Sequence, residues 1–226
     1  MTRENTSKSP LLENNIYHIV SRSIAKYQIF NTDDDYLRMV QLLRFYQVSK
    51  PLTKYSMFFR LRGTQEFGFD QYFNFLHKDH EKLVNIIAYC LMPNHIHLVL
   101  KQLKENGISI FMANILNSYS RYFNLLQKRK GPLWESKFKN ILVKNDEQLL
   151  HLVRYIHTNP YAAKLVNKIE LWKYSSYVEH IKPGNVNLPL CDTNLLDISP
   201  ENYRKFVNDR KDYQRKLSEI KNLINM

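Results

Sequence analysis

The stretch VNIIAYCLMPNHIHLVLK, residues 84–101, decides how the rest of the chain is read. Residues 84–91 form a nearly continuous apolar run and read as a buried strand. Pro93-Asn94 is a turn signal. His95 to Lys101 reads as a second strand, and the two together as a hairpin. Upstream, IYHIVSR (16–22) is short and rich in β-formers, so it too reads as a strand. Asn31-Thr32-Asp33-Asp34-Asp35 opens a helix, with acids in the first turn against the helix dipole. That helix is expected to reach about Val48, with Leu37, Val40, Leu43 and Phe45 on its apolar face. Downstream, Ile108, Phe111, Met112, Ile115, Tyr119, Tyr122, Phe123 and Leu126 recur at helical spacing over 108–127. Gly131-Pro132 ends that segment, and Phe138 to Val143 is a fourth strand. Asn145 caps a further helix, with Gln148 three residues on as in a capping box. Pro160 is expected to stop it.

The first six elements spell βαββαβ. This is an α+β, ferredoxin-like core: a four-stranded antiparallel sheet with helices on one face. The helix after the fourth strand is available to cover the other face.

The chain has 226 residues, 33 Lys and Arg, 21 Asp and Glu, and a formal charge of +12. Its 44% hydrophobic and 24% charged residues are those of a globular chain and exclude wholesale disorder. No apolar run approaches the roughly 20 residues of a membrane-spanning helix, so no membrane partner is expected. MTRENTSKSPLLENN (1–15) has no apolar core of the kind a secretory signal carries. Cys90 and Cys191 cannot make a disulfide framework, and free thiols in a cytoplasmic chain are the better reading. Five glycines, with no GxGxxG or GxxxxGK[ST], argue against a nucleotide cofactor.

The charge is uneven. Arg121, Lys128, Arg129, Lys130, Lys137, Lys139 and Lys144 face one acid, Glu135, which places +6 within residues 121–144. Such a patch usually meets a polyanion, most often nucleic acid, although a solvated helix end has the same composition.

Two regions lie outside the core pattern. Residues 49–82 form a long connection holding eight aromatics: Tyr55, Phe58, Phe59, Phe67, Phe69, Tyr72, Phe73 and Phe75. That density fits a satellite core better than a base-stacking platform. His77 and His80 lack the Glu of a zinc-protease motif and are expected at the surface. Beyond Leu171 the chain turns irregular. A last helix is expected from Ser199-Pro200-Glu201 to about Ile224, with Tyr203, Phe206, Val207, Leu217, Ile220 and Leu223 on its apolar face.

His95 and His97 are two apart on a strand, so their side chains share a face and can hold one divalent metal. Alone, His-x-His fits a hydrogen-bonded pair on a half-buried sheet equally well. Tyr155 and Asn159 are four apart, which gives them one helical face. Asn159 offers a carbonyl oxygen as a third ligand. Tyr155 offers a phenolic nucleophile. Because Asn159 precedes Pro160, its position is biased away from helical geometry.

The strings MPNHIHLVL (92–100), SRYFN (120–124), GPLWESKFK (131–139), YIHTNPYAAKLV (155–166) and WKYSS (172–176), in this order, resemble the single-tyrosine HUH transposases, in particular the branch called REP-associated tyrosine transposases. YHIVSR (17–22) is similar to that branch's first-strand motif. The resemblance covers about 16–176. It implies a catalytic domain over 1–176 with an insertion at 49–82, and a mostly helical extension over 177–226. It also implies that His95, His97 and Asn159 bind Mg²⁺ or Mn²⁺, that Tyr155 attacks DNA, and that the substrate is single-stranded or hairpin DNA. Arg22, Arg121, Lys128, Arg129, Lys130, Lys137 and Lys139 are then the expected DNA contacts. Ser23 departs from the family pattern, where Gly commonly follows the first-strand arginine. Whether such a chain works as a monomer or a dimer stays open. Two rival readings keep the residues and change the role: a non-catalytic nucleic-acid-binding regulator on the same scaffold, and a structural zinc protein. The second lacks the paired cysteines such sites use.

Overall fold

The computed structural model describes residues 10–135, 137–186, 188–209 and 212. The strands are β1 (Ile16–Arg22), β2 (Val84–Met92), β3 (His95–Gln102) and β4 (Lys139–Val143). They form one antiparallel sheet in the order β2-β3-β1-β4, as the βαββαβ reading requires. The expected hairpin is β2–β3, closed by Pro93-Asn94.

Alternation along the strands sorts the side chains onto two faces. Tyr17, Ile19, Ile96, Leu98 and Leu100 enter the larger apolar cluster, under α1 (Asp33–Tyr46) and a long helix over Gly107–Leu126. Val99, Ala88 and Cys90 enter a second cluster on the opposite face. The helix over Asp146–Ala162 covers it through Leu149, Val153 and Ile156. The last helix of the core therefore lies across the sheet from the first two.

Thr32 caps α1 in a full capping box with Asp35. The expected apolar face of α1 is partly wrong. Tyr36, Met39, Leu42, Leu43 and Phe45 are buried, whereas Leu37 is 50% exposed. The i, i+3, i+7 row from Tyr36 fits the groove, and Leu37 falls one position off it.

Residues 49–82 are not an open connection. They fold into α2 (Tyr55–Phe58), α3 (Arg62–Phe67) and α4 (Phe69–His77). Their aromatics pack on α1 and join the main core: Phe45 lies 5.2, 5.8 and 5.3 Å from the rings of Tyr55, Phe58 and Phe73. Phe67 and Phe75 stay exposed. The surface placement expected of His77 is overturned. Its Nδ1 donates to the Phe73 carbonyl (3.0 Å), its Nε2 accepts from the Leu52 amide (3.2 Å), and the ring is buried.

In order, the remaining helices are α5 (Gly107–Leu126), α6 (Asp146–Ala162), α7 (Tyr177–Ile181) and α8 (Pro200–Asn208). Tyr203 and Val207 of α8 are buried in the cluster under α6. The expected continuation through Leu217, Ile220 and Leu223 lies outside the described residues. The WKYSS stretch covers the outer edge of β2. The Leu91 amide donates to the Tyr174 carbonyl (2.9 Å), the Ser176 amide to the Tyr89 carbonyl (3.0 Å), and the Trp172 indole to the Leu91 carbonyl (3.1 Å). An edge that would otherwise offer unpaired backbone groups is thereby closed. Among the described residues, no helix is long and apolar enough to cross a membrane.

Candidate active site

Pro160 does not stop α6. The helix runs through it to Ala162 and closes in a Schellman arrangement, with the Leu165 amide on the Pro160 carbonyl and the Lys164 amide on that of Tyr161. Lys164 takes the left-handed conformation, at φ 60°. Pro160 forfeits one helical bond, but burial of Pro160, Tyr161 and Ala162 holds the last turn. Asn159 therefore stays helical, half-buried, one turn beyond Tyr155. Tyr155 and Asn159 keep the shared face that the sequence suggested.

The position of α6 is fixed by a buried polar chain. His157 Nε2 lies 2.8 Å from Ser176 Oγ, and its Nδ1 2.8 Å from Tyr203 Oη. Ser176 Oγ in turn accepts from the Tyr89 amide of β2 at 2.9 Å. Two residues before His157, Tyr155 is 45% exposed, and its ring meets that of His97 edge-on at 6.0 Å. That contact joins helix to sheet.

His95 and His97 share the face turned to α6, their rings 5.0 Å apart and nearly perpendicular. Each Nδ1 has a partner. The Asn94 amide nitrogen donates to the Lys26 carbonyl (3.3 Å), which turns Oδ1 toward His95 Nδ1 at 2.6 Å. An acceptor at Nδ1 requires Nδ1–H, so the His95 lone pair resides on Nε2. His97 Nδ1 meets Nε2 of His18, from β1, at 3.0 Å. Neither His18 nor the Asn94 side chain was singled out from sequence. The available signal was alternation: Ile16, His18, Val20 and Arg22 share one face of β1, and two of those four are polar.

Burial lowers the pKa of His95 to about 4, with the nearby Arg22 charge adding to the effect. Burial also lowers His18 to about 4 and holds His97 well below the ordinary value, with His95, His18 and Arg22 contributing. All three rings are neutral at pH 7, the form that ligates metal. Among the described residues, no three His, Cys, Asp or Glu side chains are grouped to hold a metal ion. An ion on His95 and His97 would thus need a donor of another type, and the amide oxygen of Asn159, on the helix facing them, is the candidate that shares a face with Tyr155. Such a donor set, two imidazoles and one amide, would suit Mn²⁺ better than the harder Mg²⁺.

The expected DNA contacts separate into two groups. Arg22 stands opposite His95 in the β1–β3 register. Lys139, Val20 and His97 form one row across the sheet, so Lys139 lies on the histidine face about 10 Å away, two strand spacings. Arg121, Lys128 and Lys130 are exposed on or just beyond α5, in the opposite layer. Lys137 is exposed in the approach to β4. The Arg129 guanidinium braces its own turn, on Asn124 Oδ1 (3.0 Å) and the Pro132 carbonyl (3.1 Å). Ser23 is extended (φ −69°, ψ 151°) and buried, so its place demands no glycine-only conformation.

Comparison with known proteins supports the motif reading. Residues 62–159 match the family model described as Transposase IS200 like. The chain is 29% identical over 107 residues to a Haemophilus influenzae protein described as a REP-associated tyrosine transposase. That match takes in 42% of this chain and 60% of the relative's length. Its fold is similar to a solved REP-associated tyrosine transposase bound to a REP hairpin, with a TM-score of 0.50 at 15% identity, over 85% of this chain and 93% of the solved one.

The buried histidines make stability pH-dependent. Burial also lowers His180 to about 4 and His157 well below its ordinary value of 6.5. Below about pH 6.5 the unfolded chain takes up protons that the folded chain refuses, so stability falls as pH falls. Each such proton adds a slope of about 1.4 kcal/mol per pH unit. The urea midpoint should therefore be level above about pH 7.5 and drop steadily toward pH 5. An equal midpoint at pH 7 and pH 5 contradicts this account.

Proposed function

We propose that the chain is a DNA strand transferase that cleaves and rejoins single-stranded or hairpin DNA through a covalent 5′-phosphotyrosine on Tyr155. The observation that carries this reading is the placement of a half-exposed tyrosine against a neutral histidine pair. Other tyrosines serve the role less well. Tyr119 and Tyr122 belong to α5, in the layer across the sheet, and Tyr161 is buried.

In this reading His95, His97 and Asn159 would hold a divalent ion, Mn²⁺ or Mg²⁺, which would supply charge neutralisation at the scissile phosphate. Tyr155 Oη attacks phosphorus in line. The phenol proton leaves, the bond from phosphorus to the 3′-oxygen breaks, and that oxygen departs as a 3′-hydroxyl once protonated. The phosphodiester energy is kept in the tyrosyl link, so a second 3′-hydroxyl can reverse the step without ATP. Arg22 and Lys139 lie on the same face and contact the backbone entering the site. Arg121, Lys128, Lys130 and Lys137 hold DNA that wraps the β4 edge. A cytoplasmic location suits such a substrate.

The test is adduct formation with a labelled hairpin in Mn²⁺, read on a denaturing gel. A band that survives denaturation supports the transferase. Tight binding with no such band supports the non-catalytic regulator.

Binding should weaken with salt. If roughly three to five cations contact a single strand, log K falls against log salt with a slope of about −2 to −3.5. Neutralising Lys128, Lys130 and Lys137 together should flatten it by up to about two units, similarly on a hairpin and a scrambled strand. Arg129 is left intact because its loss would loosen the turn. Equal slopes for both proteins would confine the DNA path to the Arg22 and Lys139 side.

A further inference from the structure

The His18–His97 contact carries an inference beyond the two histidines of the motif. His97 is 4% exposed, and its Nδ1 meets His18 Nε2 at 3.0 Å with the ring planes within 13°. One proton occupies that bond. If it resides on His97 Nδ1, then His97 Nε2 carries the lone pair, as His95 Nε2 does through its bond to Asn94. If it resides on His18, His97 presents Nε2–H and cannot ligate through that atom.

We propose that His18 is a positioning residue for His97: its Nε2 accepts the Nδ1 proton of His97 and so fixes the tautomer and ring orientation in which Nε2 serves as the ligand atom. The inference deepens the proposed function and rests on it for the identity of the ligand, a divalent cation. The tautomer is tested apart from the ligand, in protein without metal or DNA. The arrangement has a physical logic. The partner that holds the far nitrogen of a metal-binding histidine is usually a carboxylate, a carbonyl or water. Here a second neutral imidazole on the neighbouring strand does this, without adding a buried negative charge. The strand register makes it possible. Val20 stands opposite His97, and His18 is the next residue of β1 on that face, the diagonal neighbour.

The experiment compares wild type with His18→Phe, which keeps a ring and removes the acceptor, and His18→Gln, whose amide oxygen can accept in its place. Two readouts apply to each protein without DNA: Mn²⁺ affinity by calorimetry, and the His97 tautomer by two-bond ¹H–¹⁵N correlation. The proposal expects Nδ1–H on His97 in wild type. In His18→Phe that tautomer should become mixed and Mn²⁺ affinity fall by about ten- to a hundredfold, as for other partners of metal-binding histidines. His18→Gln should recover most of both. A His97 that carries its proton on Nε2 in wild type overturns the proposal. So does a His18→Phe protein with unchanged tautomer and affinity, or a folded His18→Gln protein no better than His18→Phe. Wild type that binds no Mn²⁺ but shows the Nδ1–H tautomer, lost in His18→Phe, supports the positioning role and refutes the metal reading alone.

Discussion

Tyr155→Phe is expected to abolish the covalent protein–DNA adduct while hairpin binding stays within about threefold of wild type, since a single hydroxyl contact is removed. The loss should be complete because, among the described residues, the other candidate tyrosines lie away from the histidine pair. Tyr161 is less than two turns further along α6 and is buried. Tyr119 and Tyr122 belong to α5, in the layer across the sheet. Burial also raises the phenol of Tyr122 to about 12, with Asp35 reinforcing the effect, so it gives up its proton less readily. Phe preserves the edge-on contact with the His97 ring, so the fold of α6 should be undisturbed. Adduct at normal yield in Tyr155→Phe would remove Tyr155 as nucleophile.

Cleavage is expected to stop in excess chelator, to return on adding Mn²⁺, and to fall at least about a hundredfold in His95→Ala and in His97→Ala. Both rings sit on one strand face, and burial keeps both neutral at working pH. Removing either leaves one imidazole, too few donors to order an ion where, among the described residues, no group of three His, Cys, Asp or Glu side chains is placed to hold a metal. His97→Ala also deprives His18 of its partner, so its melting temperature needs to be measured beside the activity. Asn159→Ala should be milder, because water can replace an amide oxygen. Undiminished cleavage in excess chelator would rule out the ion.

The order of the core was legible because each strand is short, rich in β-formers and bounded by turn residues. Pro93-Asn94 placed the hairpin, and alternation placed His95 and His97 on one face. What escaped was tertiary. Pro160 reads locally as a stop, yet burial of the last turn outweighs one lost hydrogen bond. His77 is polar and reads as surface, yet its two nitrogens satisfy buried backbone groups. The +6 stretch reads as one patch, yet the fold divides it between the histidine face and the α5 layer. His18 and Asn94 acquire their roles only when β1 lies beside β3 and the turn brings Lys26 to the Asn94 amide. WKYSS reads as a motif without a task until it is seen to seal the edge of β2.

The most direct measurement is the site of attachment. Wild-type protein is incubated with a hairpin oligonucleotide and Mn²⁺, digested with nuclease and trypsin, and the modified peptide sequenced by mass spectrometry. Cleavage after Arg154 and Lys164 yields YIHTNPYAAK, which holds both Tyr155 and Tyr161, so fragment ions must separate the two. The account predicts a nucleotide joined through its 5′-phosphate to Tyr155 and an unmodified Tyr161. A nucleotide on Tyr161 or on any other residue, or a 3′-linked one, would contradict it.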